Sequence, residues 1–71
     1  MHILIFKTNI ETEDAYKEVA SLLNTKQSVI DWNIDKEDID KVLRIESELN
    51  NTEEIITSIN KAGFICEELP D

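Results

Sequence analysis

Thr52-Glu53-Glu54-Ile55-Ile56-Thr57-Ser58-Ile59-Asn60-Lys61-Ala62-Gly63-Phe64 is the stretch on which the fold turns. Ile55, Ile59 and Ala62 recur at helical spacing and make one apolar stripe. Asn51 stands in the cap position, and Glu54 three residues later completes the pattern of a capping box. Gly63 falls where a helix needs a left-handed residue to stop. Phe64-Ile65-Cys66 then reads as a short last strand before a stop at Pro70-Asp71. A helix with one apolar stripe, followed at once by a strand, lays that stripe on a sheet.

Upstream, Lys41 to Glu46 reads as another strand, with Leu43 and Ile45 on one face and Val42 and Arg44 on the other. Before it, Ile30, Trp32 and Ile34 alternate with Asp31, Asn33 and Asp35, a period-two pattern with one buried face. The acidic Asp35-Lys36-Glu37-Asp38-Ile39-Asp40 joins these two strands as a hairpin connection. From Thr12 the period becomes helical: Tyr16, Val19 and Leu23 line one face, Ala15 and Leu22 flank it, and Glu13 and Asp14 follow the Thr12 cap. This helix ends near Asn24-Thr25. The chain starts with Ile3-Leu4-Ile5-Phe6, a strand apolar on both faces and bounded by Lys7-Thr8-Asn9. We expect Ile3 and Ile5 to face the helices, which puts Leu4 and Phe6 on the other face; a shift of one residue exchanges the two.

The order is βαββαβ. Two helices with one stripe each cover one face of a four-stranded antiparallel sheet, so the fold class is α+β, a ferredoxin-like open-faced sandwich. With 71 residues the chain, 1–71, is a single domain. At this size roughly 60% of the extended chain's surface can be buried, which places stability near the low end of about 5–15 kcal/mol.

At this point the sequence resembles the heavy-metal-associated family, the copper-chaperone type of domain. Ser28-Val29-Ile30-Asp31-Trp32-Asn33-Ile34-Asp35 is similar to that family's G-V-x-x-V-x-V-D strand, and Thr52 to Phe64 to its closing P-E-E-I-x-x-A-I-x-x-A-G-[YF]. The resemblance spans nearly the whole chain. It departs at Ser28 for Gly, Trp32 for a smaller aliphatic and Thr52 for Pro, and above all in the first loop. There the family carries M-x-C-x-x-C, whereas this chain has Lys7 in the Met position and Asn9 and Thr12 in the positions of the two metal-binding cysteines.

The change is one of ligand chemistry. A soft cation such as Cu(I) prefers thiolates, and a strand-to-helix turn brings two of them together beside a helix N-terminus that favours their charge. Asn9 and Thr12 offer hard, neutral oxygens instead. Lys7, if it points inward, adds a positive charge that repels the ion. The resemblance therefore implies a degenerate motif at Lys7, Asn9 and Thr12, with no metal and no other cofactor.

Other ligand sets are weighed on their own residues. His2 and Cys66 lie on strands that neighbour each other in this fold, but the expected parity puts His2 on the open face and Cys66 inward, as a small buried apolar residue. Asp31, Asp35, Glu37, Asp38 and Asp40 are the densest group of carboxylates. They lack the glycine and the twelfth-position Glu of an EF-hand, and the interspersed Lys36 and Lys41 point to a solvated turn. No Ser-His-Asp or Cys-His set and no Gly-rich phosphate loop is present, so no enzyme is expected. One cysteine allows no intramolecular disulfide and suits a reducing compartment. The apolar N-terminal run is too short for a signal peptide or a membrane span, and a soluble, cytoplasmic protein is expected.

Sixteen acidic against seven basic residues give a net charge of -9, spread along the chain. That field repels nucleic acid and anionic membranes and favours a protein partner with a basic surface. The expected interaction surface is the open sheet face with Leu4, Phe6, Val42 and Ile65, which offers a homodimer as a further arrangement. The leading functional expectation is a heavy-metal-associated-like domain that has lost metal binding and serves as a protein-interaction or regulatory module. The alternative is a metal-trafficking, copper or zinc chaperone-like protein with non-standard ligands such as Cys66 and His2. A third is a structural domain of a larger transporter or enzyme.

Overall fold

Because Ile3-Leu4-Ile5-Phe6 is apolar at both parities, hydrophobicity does not choose which face of the first strand is buried; the charge that follows does. Lys7 shares its face with Ile3 and Ile5, and its ammonium stays in water most cheaply on the open side of the sheet. The computed structural model, which describes residues 1–35 and 37–69, shows this arrangement. Strand β1 (His2–Thr8) buries Leu4, Phe6 and Thr8 and leaves Ile3 and Ile5 half-buried on the open face. Leu4 and Phe6 are thus core residues and not part of an open surface, which corrects the expected parity. Thr8 is tolerated inside because its hydroxyl donates to the Lys41 carbonyl at 2.6 Å and accepts from the Ile10 N–H at 3.3 Å.

The element order is β1, α1 (Glu13–Asn24), β2 (Val29–Asp35), β3 (Val42–Ser47), α2 (Thr52–Lys61) and β4 (Cys66–Glu68). The strands form one sheet in the order β2-β3-β1-β4, with every neighbouring pair antiparallel. Register follows parity: Leu4 lies opposite Ile45 and Phe6 opposite Leu43 on the buried face, while Ile3 meets Glu46 and Ile5 meets Arg44 on the open one. Val19 and Leu23 from α1 and Ile55 and Ile59 from α2 close the core over Phe6, Leu43 and Ile45. This is the ferredoxin-like βαββαβ sandwich. The stop expected at Pro70-Asp71, and Lys36 in the hairpin, lie outside the described residues.

Several local details differ from the periodic reading, each for a physical reason. A β-bulge shifts the β2 register between Val29 and Asp31, which turns Ile30 out to 52% exposure although it sits in the apolar alternation. Trp32 and Ile34 stay half-buried on this edge strand, and Trp32 packs on Tyr16 of α1 with ring centroids 5.3 Å apart. Ala62 is exposed, because α2 has already reached its cap there. The capping box does not close. Asn51 Oδ1 accepts from the buried Ser47 hydroxyl at 3.1 Å, its Nδ2 donates to Ser28 Oγ at 2.9 Å, and Glu54 is held by Lys26 at 3.3 Å. The cap residue is spent on tying three segments together.

At its other end α2 stops as a Schellman motif. Gly63 N–H donates to the Asn60 carbonyl at 3.0 Å and Phe64 N–H to Ile59 at 3.2 Å, with Gly63 at φ 98°. Phe64 and Ile65 belong to this turn, so β4 starts at Cys66, two residues later than the apolar run implied. A Cβ on Gly63 would meet nothing within 4 Å. Gly63→Ala is therefore expected to cost only backbone strain, about 1 kcal/mol, seen as a melting temperature lower by roughly 4–8 °C. An unchanged melting temperature would mean the left-handed turn is not formed.

Candidate functional site

The loop between β1 and α1 has few ways to satisfy its backbone, and its polar side chains supply them. Ile10 is fully buried and anchors the loop in the core. Thr8 N–H donates to the Asp40 carbonyl at 3.1 Å, which ties the loop's entry to the β2–β3 turn. Asn9 Oδ1 accepts the Ile65 N–H at 2.9 Å, fastening the loop to the start of β4 across 56 positions of sequence. Thr12 Oγ1 accepts the Ala15 N–H at 3.1 Å as the N-cap of α1, as its place before Glu13 and Asp14 implied. Lys7 points outward, with its ammonium 3.7 Å from Asp40.

A metal ion is what this loop implies in the heavy-metal-associated family, and the residues here do not fit one. The two oxygens in the ligand positions are neutral, hard and already turned onto backbone N–H groups, and the third position carries an ammonium. Sequence reasoning found the loss of thiolates and the Thr12 cap but missed the contact made by Asn9. For Thr12 the cap signal was present; for Asn9 none was, since its partner is made near only by the sheet.

Cys66 is buried and lies opposite Thr8 on β4, on the helix-facing side of the sheet. Burial, and then the neighbouring Glu67 carboxylate, push its thiol from 9.0 up to about 12. His2 has the same parity as Cys66 yet sits at the opposite end of β1, six residues from Thr8 and facing Ser47. Register, and not the parity expected from the sequence, keeps the two apart. Because the native thiol stays protonated where an unfolded one ionises, stability is fully present below about pH 9 and is lost as pH rises toward about 12. In alkaline melts Cys66→Ala should remove most of this slope; a slope of equal size in the variant would assign it elsewhere.

The acidic group is spread over a turn instead of converging. Asp31 Oδ1 accepts the Trp32 N–H at 2.8 Å, Asp35 Oδ1 the Glu37 N–H at 3.1 Å and Asp38 Oδ1 the Asp40 N–H at 2.8 Å. Among the described residues no three His, Cys, Asp or Glu side chains converge to hold a metal ion. Of the surface expected from the sequence, Val42 is half-buried beside Asp35 on the open face and Ile65 is 54% exposed at the end of the Asn9 staple. Leu4 and Phe6 are inside. No helix among the described residues is long and apolar enough to cross a membrane.

The arrangement of strands and helices matches solved structures over 93–100% of the chain. The yeast copper transporter domain CCC2A, solved in apo and Cu(I)-loaded states, superposes with a TM-score of 0.82 at 18% identity, covering 100% of this chain and 99% of that one. The fold is heavy-metal-associated-like. The N-terminal domain of ZntA, solved in its Zn(II) form, gives a TM-score of 0.78 at 10% identity over 93% of this chain and 89% of that one. No family model matches the sequence, and no curated protein sequence does. The heavy-metal-associated-like fold thus persists around a loop whose donors differ from that family's motif.

Proposed function

We propose that this heavy-metal-associated-like domain does not bind metal through its loop and serves as a protein-interaction or regulatory module for a partner with a basic surface. The observation that carries the reading is the employment of Asn9 and Thr12: both side-chain oxygens hold the loop closed, so binding an ion there would break two backbone contacts for weak neutral ligands. Cys66, buried and held protonated, is no substitute for the missing thiolates. The net charge of -9 supports a basic partner over a second copy, since two such chains repel.

Titration with Cu(I) and with Zn²⁺ under reducing conditions tests the reading. No stoichiometric binding tighter than about micromolar is expected. Tight binding that disappears in Cys66→Ser would instead establish a metal-trafficking role.

A further inference from the structure

Both helices close over one face of the sheet, and among the described residues no second layer lies on the other. On the half of that open face formed by β2 and β3, register sets Asp31 opposite Glu46, Asn33 opposite Arg44 and Asp35 opposite Val42, while Trp32 and Ile34 meet Ile45 and Leu43 on the side of the helices. Ile5 of β1 continues the row beyond Arg44. Asp31, Asn33, Asp35 and Arg44 are exposed, and Ile5 and Val42 are half-buried.

On these two strands the open face carries three carboxylates and one guanidinium. Arg44 Nη1 stands 3.8 Å from Glu46 Oε1, so that cation is engaged within its own strand. Asp31 and Asp35 accept the backbone N–H groups of Trp32 and Glu37 and have no ion partner among the described residues. Asp31 also lies directly opposite Glu46, a like-charge pairing that costs stability in the isolated sheet and that a cation laid over both relieves. Beside these charges Ile5 and Val42 are diagonal neighbours across β1 and β3, an apolar strip next to the acidic strand.

We propose that this open face takes up an amphipathic helix of a partner protein, packed on Ile5 and Val42 and presenting Lys or Arg to Asp31 and Asp35. A helix suits a sheet face, where a lone strand would leave its own backbone unpaired. Strands lie about 4.8 Å apart, so a helix axis above the junction of β1 and β3 runs about 7 Å to the side of β2, within reach of long cationic side chains on its flank. Asp31 and Asp35 stand about 13 Å apart along the strand, which matches cations two turns apart, at i and i+7 or i+8, in a helix rising about 1.5 Å per residue. The net charge of -9 disfavours a second copy of this chain as the occupant. This rests on the reading of the domain as an interaction module and gives that module its face and the chemistry of its partner.

The test is methyl-resolved NMR of the whole chain with a synthetic helical peptide that carries a leucine stripe and, along one flank, lysines at i and i+7. Larger shifts at the methyl groups of Ile5 and Val42 than at Leu43 and Ile45, which face the helices, are expected, with a Kd below about 1 mM. A counterpart with Glu for each Lys should bind at least about tenfold more weakly. Asp31→Asn with Asp35→Asn keeps the acceptors for the Trp32 and Glu37 N–H groups and removes both charges, so affinity for the Lys peptide should fall at least about tenfold. Larger shifts at Leu43 and Ile45, equal binding of both peptides to the natural chain, an affinity unchanged in the Asn variant, no shift with millimolar peptide, or self-association through Ile5 and Val42 would each overturn the proposal. The failure of the underlying reading looks different: stoichiometric metal binding, whatever the peptides do.

Discussion

The combined substitution Lys7→Met, Asn9→Cys and Thr12→Cys is expected to give a chain that binds Cu(I) tighter than about micromolar, where the natural loop is expected to show no such binding. The heavy-metal-associated-like fold lies on both sides of the loop, so the substitution changes the donor set without asking for a different fold. The exchange has a cost in the metal-free state. Losing the Thr12 cap removes about 1 kcal/mol and losing the Asn9 bond to Ile65 about 0.5–1.5 kcal/mol. The metal-free variant should therefore melt below the natural protein. Added metal then offsets the loss, by about 4 kcal/mol at a free concentration a thousand times Kd, so the loaded variant should melt above it. Melting curves with and without Cu(I) check both signs. A variant that binds no better than the natural chain would mean that positions 9 and 12 do not converge in this loop.

Phe6→Ala should be the most damaging single truncation in the sheet, and Ile5→Ala, one residue away, a mild one. Phe6 is fully buried opposite Leu43 beneath both helices, and removing its ring costs about 3–5 kcal/mol in transfer and cavity terms. For a domain near the low end of about 5–15 kcal/mol, that leaves a large unfolded population at 37 °C. Ile5 lies half-buried on the open face opposite Arg44, and its truncation should cost roughly 1 kcal/mol. Urea melts of the two variants give the comparison. The reverse order of damage would restore the opposite strand parity and return Phe6 to the open face.

Much of the fold was legible because local chemistry and tertiary role agree. Thr12 caps α1 for the same reason that Glu13 and Asp14 follow it, and Gly63 ends α2 because only a residue at ease with positive φ can. Legibility failed where residues 3–6 offered two equivalent faces. The cue lay one position further on, in the charge of Lys7, which an apolar pattern does not contain. At Ile30 the alternation itself misled, since a bulge changes the face of a residue without altering the sequence pattern. For the candidate site, the sequence disclosed which donors are missing from the loop. The replacement contact of Asn9 was hidden, because Ile65 lies 56 residues away and is brought near only by the pairing of β4 with β1.

By itself the sequence determined the element order, the open-faced architecture, the acidic charge and the loss of thiolates from the loop, because each depends on residue type and spacing within one segment. Tertiary structure alone decided that Asn51 ties segments together in place of closing a capping box, that Asn9 meets Ile65, and that His2 and Cys66 stand at opposite ends of their strands. Those features depend on register and on where one strand ends beside another. Register is set by side chains from distant segments competing for a single core, a competition that no local window of sequence contains.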